Sequence, residues 1–149
     1  MLTIRMQEKE YKTRKAGDFY TVYFALCRAR KTAQGYQDGK RIFELQDGKE
    51  CLQETQAFFT AKRYDWRKPT KEMVEGALNQ FKNLSELSRA MGISRVTVGE
   101  WKKKGGRYRI AFLHWRYLCE FIGIHEPLKH NLEYKDPVWI ETKSSSELN

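Results

Sequence analysis

The sequence predicts an α+β protein in which a small N-terminal segment containing a β-hairpin precedes an all-α domain of four or so helices. Three observations carry this expectation. The run Arg41-Ile-Phe-Glu-Leu45 alternates like a strand and leads into Asp47-Gly48, a dipeptide that favours a tight hairpin turn. After Pro69 the apolar residues change to helical spacing. The length of 149 residues suits one domain or two small ones sharing a modest core.

Within residues 1–69, Ile4 and Met6 alternate with polar neighbours in the manner of a strand. The run from Phe19 to Cys27 carries two signals. Its aromatic and β-branched residues favour a strand, while Asp18 as a cap and the stretch Ala25 to Arg30 favour a helix, and the balance tips to strand. Residues Gln53 to Arg63 fit a helix exposing Lys62 and Arg63, and Trp66-Arg-Lys-Pro69 reads as a connector ending the first unit.

Residues 70–125 form the expected second unit. Met73, Val74, Ala77, Leu78 and Phe81 share one helical face, with Thr70 as cap. Asn83, followed three residues later by Glu86, opens a second helix with Leu84, Leu87 and Met91 as its apolar stripe, closed by Gly92. A last helix over residues 110–122 places Ala111, His114, Trp115, Leu118, Phe121 and Ile122 on one face, stopped by Gly123 and Pro127. Residues 126–149 are an extension, polar and expected to fray from about residue 143.

Lys and Arg number 28 against 19 Asp and Glu, a formal net charge of +9. Residues 1–69 carry +6, residues 70–125 carry +5, and residues 126–149 carry −2. An anionic partner is implied. The hydrophobic fraction of 40% supplies a core, which argues against wholesale disorder. No stretch approaches the ~18 apolar residues of a membrane span, and Met1 to Glu10 lacks a signal-peptide pattern, so a cytoplasmic protein without membrane contact is expected. Cys27, Cys51 and Cys119 are odd in number and widely spaced, as expected of reduced, half-buried thiols.

The stretch from Leu84 to Lys103 reads as a helix-turn-helix. Leu87 and Met91 face inward, small Ser88 permits close helix approach, Gly92 takes the positive φ of the turn, Ile93 plugs the gap, and Ser94 caps the next helix. Val98 and Trp101 bury that second helix and leave its other positions to face outward. This pattern over about residues 70–122 resembles the helix-turn-helix regulators of the Cro and lambda-repressor type, with Ser88 standing where Ala is usual and Leu84 where that family often has a polar residue. The resemblance implies a DNA-binding regulator of bacterial, phage or mobile-element origin, most often a repressor occupying an operator in double-stranded DNA.

By the same resemblance, Arg95, Val96, Gly99 and Glu100 face base edges in the major groove. Their chemistry suits the role: Arg95 can take guanine O6 and N7, Val96 a thymine methyl, and Glu100 the cytosine amino group, while Gly99 allows close approach. Ser85, Ser94, Thr97, Lys102, Lys103, Lys104, Arg107 and Arg109 would hold phosphates, setting register without carrying sequence information.

Other chemistries find less support. Cys119, His125 and His130 fit no zinc-site spacing, and no metal or other cofactor is expected. The acidic pairs Glu8 and Glu10, or Glu72 and Glu75, lack an accompanying nucleophile or phosphate loop, so an enzyme is not expected. Trp101 and Trp115 read as core. Residues 1–69 fit either a homodimerisation module, which would place two reading helices on a two-fold axis, or an accessory nucleic-acid surface using Lys12, Arg14, Lys15, Arg28, Arg30 and Lys31. The alternative functions are a protein-interaction adaptor with a vestigial helix-turn-helix and an RNA-binding module.

Overall fold

The computed structural model describes residues 1–61, 63–103, 110–124, 133 and 135. Two Asp-Gly turns shape the N-terminal half. Asp38-Gly39 has φ of 50° and 83°, and Asp47-Gly48 has 52° and 79°; paired positive φ values match the right-handed twist of the strands they join. Strand β1 (Leu2–Met6) pairs with β2 (Lys9–Thr13), helix α1 (Ala16–Arg28) follows, and β3 (Ala33–Gln37), β4 (Lys40–Gln46) and β5 (Lys49–Glu50) complete the sheet. All pairings are antiparallel, in the order β2-β1-β3-β4-β5.

Register decides which face of the sheet is dry. Ile4 lies opposite Gly35, and Gly35 opposite Phe43, so Ile4, Ala33, Phe43 and Leu45 point to the side that α1 covers. Phe19 and Tyr23 of α1 meet the Phe43 ring at centroid distances of 5.5 and 4.8 Å. A Cβ on Gly35 would collide with that ring, so the bare backbone here makes room for an aromatic. The Tyr23 hydroxyl donates to Glu50 Oε2 at 2.7 Å, and Glu50 Oε1 accepts the amides of Glu44 and Leu52, tying α1 to the end of the sheet.

The chain is thus α+β, but the expected small hairpin segment followed by an all-α helix-turn-helix domain is corrected. The N-terminal part is a five-stranded antiparallel sheet with a covering helix. Three local expectations change with it. The run Phe19 to Cys27 is helix, not strand, because Phe19, Tyr23, Leu26 and Cys27 recur at helical spacing and all are buried; packing overrides their β preference. Its N-cap is Lys15, with Asp18 in the first turn. The helix expected over 53–63 is only α2 (Gln53–Gln56), followed by a 3-10 turn at Arg63–Asp65. Adjacent Phe58 and Phe59 are both buried, and Phe58 gives its carbonyl to a side-chain partner, so the backbone leaves the helical path.

Helix α3 (Lys71–Leu78) begins as expected, with the Thr70 hydroxyl accepting the Met73 amide. It crosses α1 at Gly76, where an added Cβ would sit 2.5 Å from the Tyr20 carbonyl carbon. Only glycine allows this approach. Gln80 Nε2 then donates to the Thr21 carbonyl at 2.8 Å, stitching the two helices. Helices α4 (Leu84–Met91) and α5 (Arg95–Trp101) follow, and α6 (Phe112–Ile122) closes the structure.

The buried face of α6 is rotated from the expected one. Phe112, Trp115, Leu118, Cys119 and Ile122 face inward, whereas Phe121 is 42% exposed and Ala111 is the N-cap. The buried thiol of Cys119 and the contact of Phe112 with Trp66, 5.3 Å between ring centroids, set this phase. Trp115 is 1% exposed; its indole N–H donates to the Phe58 carbonyl at 2.8 Å, and it packs on Phe24 and Phe59. The buried residues of sheet and helices form one continuous cluster that extends across residues 66–69.

Cys27 and Cys119 are buried and Cys51 is exposed. Burial pushes both inner thiols well above their ordinary range. One thiol per chain, that of Cys51, should therefore react promptly with an aromatic disulfide reagent, and all three only on unfolding. Prompt reaction of all three in the folded chain would contradict the packing. Because the folded state holds these two protons more tightly than the unfolded state, their contribution to stability is complete below about pH 8.5 and falls as pH rises above it.

Candidate nucleic-acid interface

Helices α4 and α5 are joined by three residues whose roles are physical. Gly92 has φ 69°, donates its amide to the Arg89 carbonyl, and lets Ile93 donate to the Ser88 carbonyl at 2.9 Å, which closes the end of α4. Ile93 packs against the core. Ser94 Oγ accepts the Thr97 amide at 3.2 Å and starts α5. Asn83 Oδ1 caps α4 by accepting the amides of Ser85 and Glu86. Ser88 is buried, and its hydroxyl donates to the Ser85 carbonyl at 2.9 Å, which meets its polar need inside its own helix. A serine thereby fills the position of close helix approach.

The phase of α5 follows from two side chains. Val98 and Trp101 are each 1% exposed, and the Trp101 ring lies 5.4 Å from that of His114 on α6. Arg95, Val96, Gly99 and Glu100 consequently share the opposite, exposed face, with Val96 75% exposed. An added Cβ on Gly99 would meet nothing within 4 Å, so this face is open at Gly99. Lys103, one helical turn beyond Gly99, is also exposed; its Nζ lies 3.8 Å from Glu100 Oε1.

The residues singled out for phosphate contacts divide into three groups. Lys102 and Lys103 are exposed near the end of α5. Ser94 and Thr97 have their hydroxyls 3.1 Å apart and are engaged in starting the helix, while Ser85 is half-buried. Lys104, Arg107 and Arg109 lie outside the described residues, as do His125 and His130. Arg89, exposed in the last turn of α4, adds a cation beside the turn that the sequence reading passed over. Its place three residues before Gly92, outside the apolar stripe, was the available signal.

Among the described residues no helix is long and apolar enough to cross a membrane, and no group of three His, Cys, Asp or Glu side chains could hold a metal. No protein-family model, characterised protein or solved structure matches the chain.

Proposed function

We propose that this protein is a sequence-specific double-stranded-DNA-binding transcriptional regulator, a repressor, that reads the major groove in the cytoplasm with the helix spanning residues 94–103. The observation that carries the reading is the division of α5 into a face locked by Val98 and Trp101 and an opposite face presenting Arg95, Val96, Gly99 and Glu100 with open space at Gly99. The net charge of +9 supplies the long-range attraction that a polyanion requires. Four outward positions address only a few base pairs, so two copies on a two-fold axis would read a palindrome with half-sites about 34 Å apart.

The test is selection from a randomised duplex pool at about 0.15 M salt, a concentration at which non-specific attraction is already weakened. Enrichment of one site is the expected result, palindromic if the bound form is a dimer. Retention without enrichment would refute sequence reading, and absence of retention would refute duplex binding.

A further inference from the structure

Away from the α5 face, three chain segments distant in sequence meet at a groove of about 450 Å3, within the roughly 300–1,000 Å3 of small-ligand sites. The end of α1 supplies Arg28 and Arg30, the β4–β5 turn supplies Asp47, the start of β5 supplies Lys49, and the end of α6 supplies Phe121. The junction is tightly built. The Gly48 amide donates to the Lys31 carbonyl at 2.9 Å, and a Cβ on Gly48 would lie 2.5 Å from the Cys27 carbonyl oxygen. The turn is thus pressed on the C-terminal end of α1, which brings Lys49 beside the two arginines. Gln80 Oε1 receives Arg28 Nε at 3.1 Å and orients that guanidinium.

Among the described residues none of Arg28, Arg30 and Lys49 is in an ion pair with a carboxylate, and Asp47 is the one acidic side chain lining the groove. Cations at a helix C-terminus complement its dipole, which accounts for Arg28 but not for Lys49 at the start of β5. Phe121 is not explained by packing either. It is 42% exposed and stacked on exposed Tyr117, with ring centroids 5.2 Å apart and planes 14° apart. Two parallel rings at the edge of a cationic groove offer a flat apolar face beside phosphate-binding groups.

We propose that this groove binds a single-stranded nucleic-acid segment, with backbone phosphates on Arg28, Arg30 and Lys49 and one unpaired base stacked on Phe121. A duplex hides its base faces within its own stack and would leave the exposed part of the Phe121 ring uncovered, so an unpaired strand fits better than duplex. The groove lies toward the end of α6 away from the His114–Trp101 contact, and the inference does not rest on reading by α5.

The experiment titrates the full chain with labelled oligothymidylate and oligouridylate strands of about eight nucleotides, a length typical of such sites, and with inorganic polyphosphate of matching charge. Both strands are expected to bind more tightly than polyphosphate. Phe121→Leu keeps apolar bulk but removes the aromatic face, and should weaken strand binding about 5- to 150-fold with polyphosphate binding unchanged. Arg30→Gln and Lys49→Gln should each reduce the salt slope by about 0.7. Thermal melting of each variant checks that it remains folded. Equal affinity for strand and polyphosphate, or an unchanged affinity in folded Phe121→Leu, would overturn the proposal. A difference between the thymidylate and uridylate strands would assign it to DNA or to RNA.

Discussion

Replacing Trp115 by Ala is expected to lower stability by about 3–5 kcal/mol, the range for removing a buried large aromatic, with a further cost for the carbonyl it leaves behind. The indole lies between the sheet-covering helix and the chain before α3: it meets the Phe24 ring edge-on at 6.0 Å and stacks on Phe59 at 6.2 Å. The Phe58 carbonyl, buried with it, has the Trp115 N–H as its hydrogen-bond donor. Small domains have about 5–15 kcal/mol in total, so Trp115→Ala should move the urea midpoint far toward zero. Trp115→Phe keeps one ring but loses the donor and part of the buried volume, and should cost less than Trp115→Ala. A loss below about 1 kcal/mol for Trp115→Ala, typical of surface substitutions, would mean that α6 is not fastened to the rest of the core as described.

The second large effect concerns DNA. Arg95→Ala should weaken binding to the selected site by about 1–3 kcal/mol and relax preference at one base pair, while leaving random DNA nearly unaffected. Lys103→Ala should weaken all sequences alike and flatten the salt slope by about 0.9. Lys103 lies 3.8 Å from Glu100 with both side chains well exposed, so their pairing contributes little to stability. Its removal could still alter Glu100, and Glu100→Gln measured alongside separates the two. Identical effects of Arg95→Ala and Lys103→Ala on specific and random DNA would refute base reading by this face.

Much of the helical half is legible in the sequence because each signal is local. Thr70, Asn83, Gly92 and Ser94 act within a few residues of where they stand, and Val98 with Trp101 fixes the phase of α5 without reference to the rest of the chain. The sheet is harder to read. Strand β2 is an edge strand, exposed almost throughout and without alternation, and β3 is built on small Ala33 and on Gly35, which is bare because Phe43 lies over it. The Asp38-Gly39 turn carried the same signal as Asp47-Gly48 and would have revealed the β3–β4 hairpin. Helix α1 is misleading because its aromatic residues look like a strand until their partners are known. The groove at Arg28, Lys49 and Phe121 joins segments too distant in sequence for any spacing rule to connect.

The glycine crossing of α1 and α3 has a consequence for how the chain comes into being. Residues 1–69 leave the ribosome with one side of the Phe24 ring and the backbone around Tyr20 uncovered, because the helix that presses on Tyr20 and the indole that packs on Phe24 are encoded downstream. The sheet therefore completes its packing only after Gly76 and Trp115 have been synthesised. A fragment beginning at Thr70 has the converse defect, exposing Val74 and Ala77 in the absence of α1. Whatever shifts the balance of folding in one half is thus felt by α5 as well, and a damaged sheet loosens that helix without touching any of its residues.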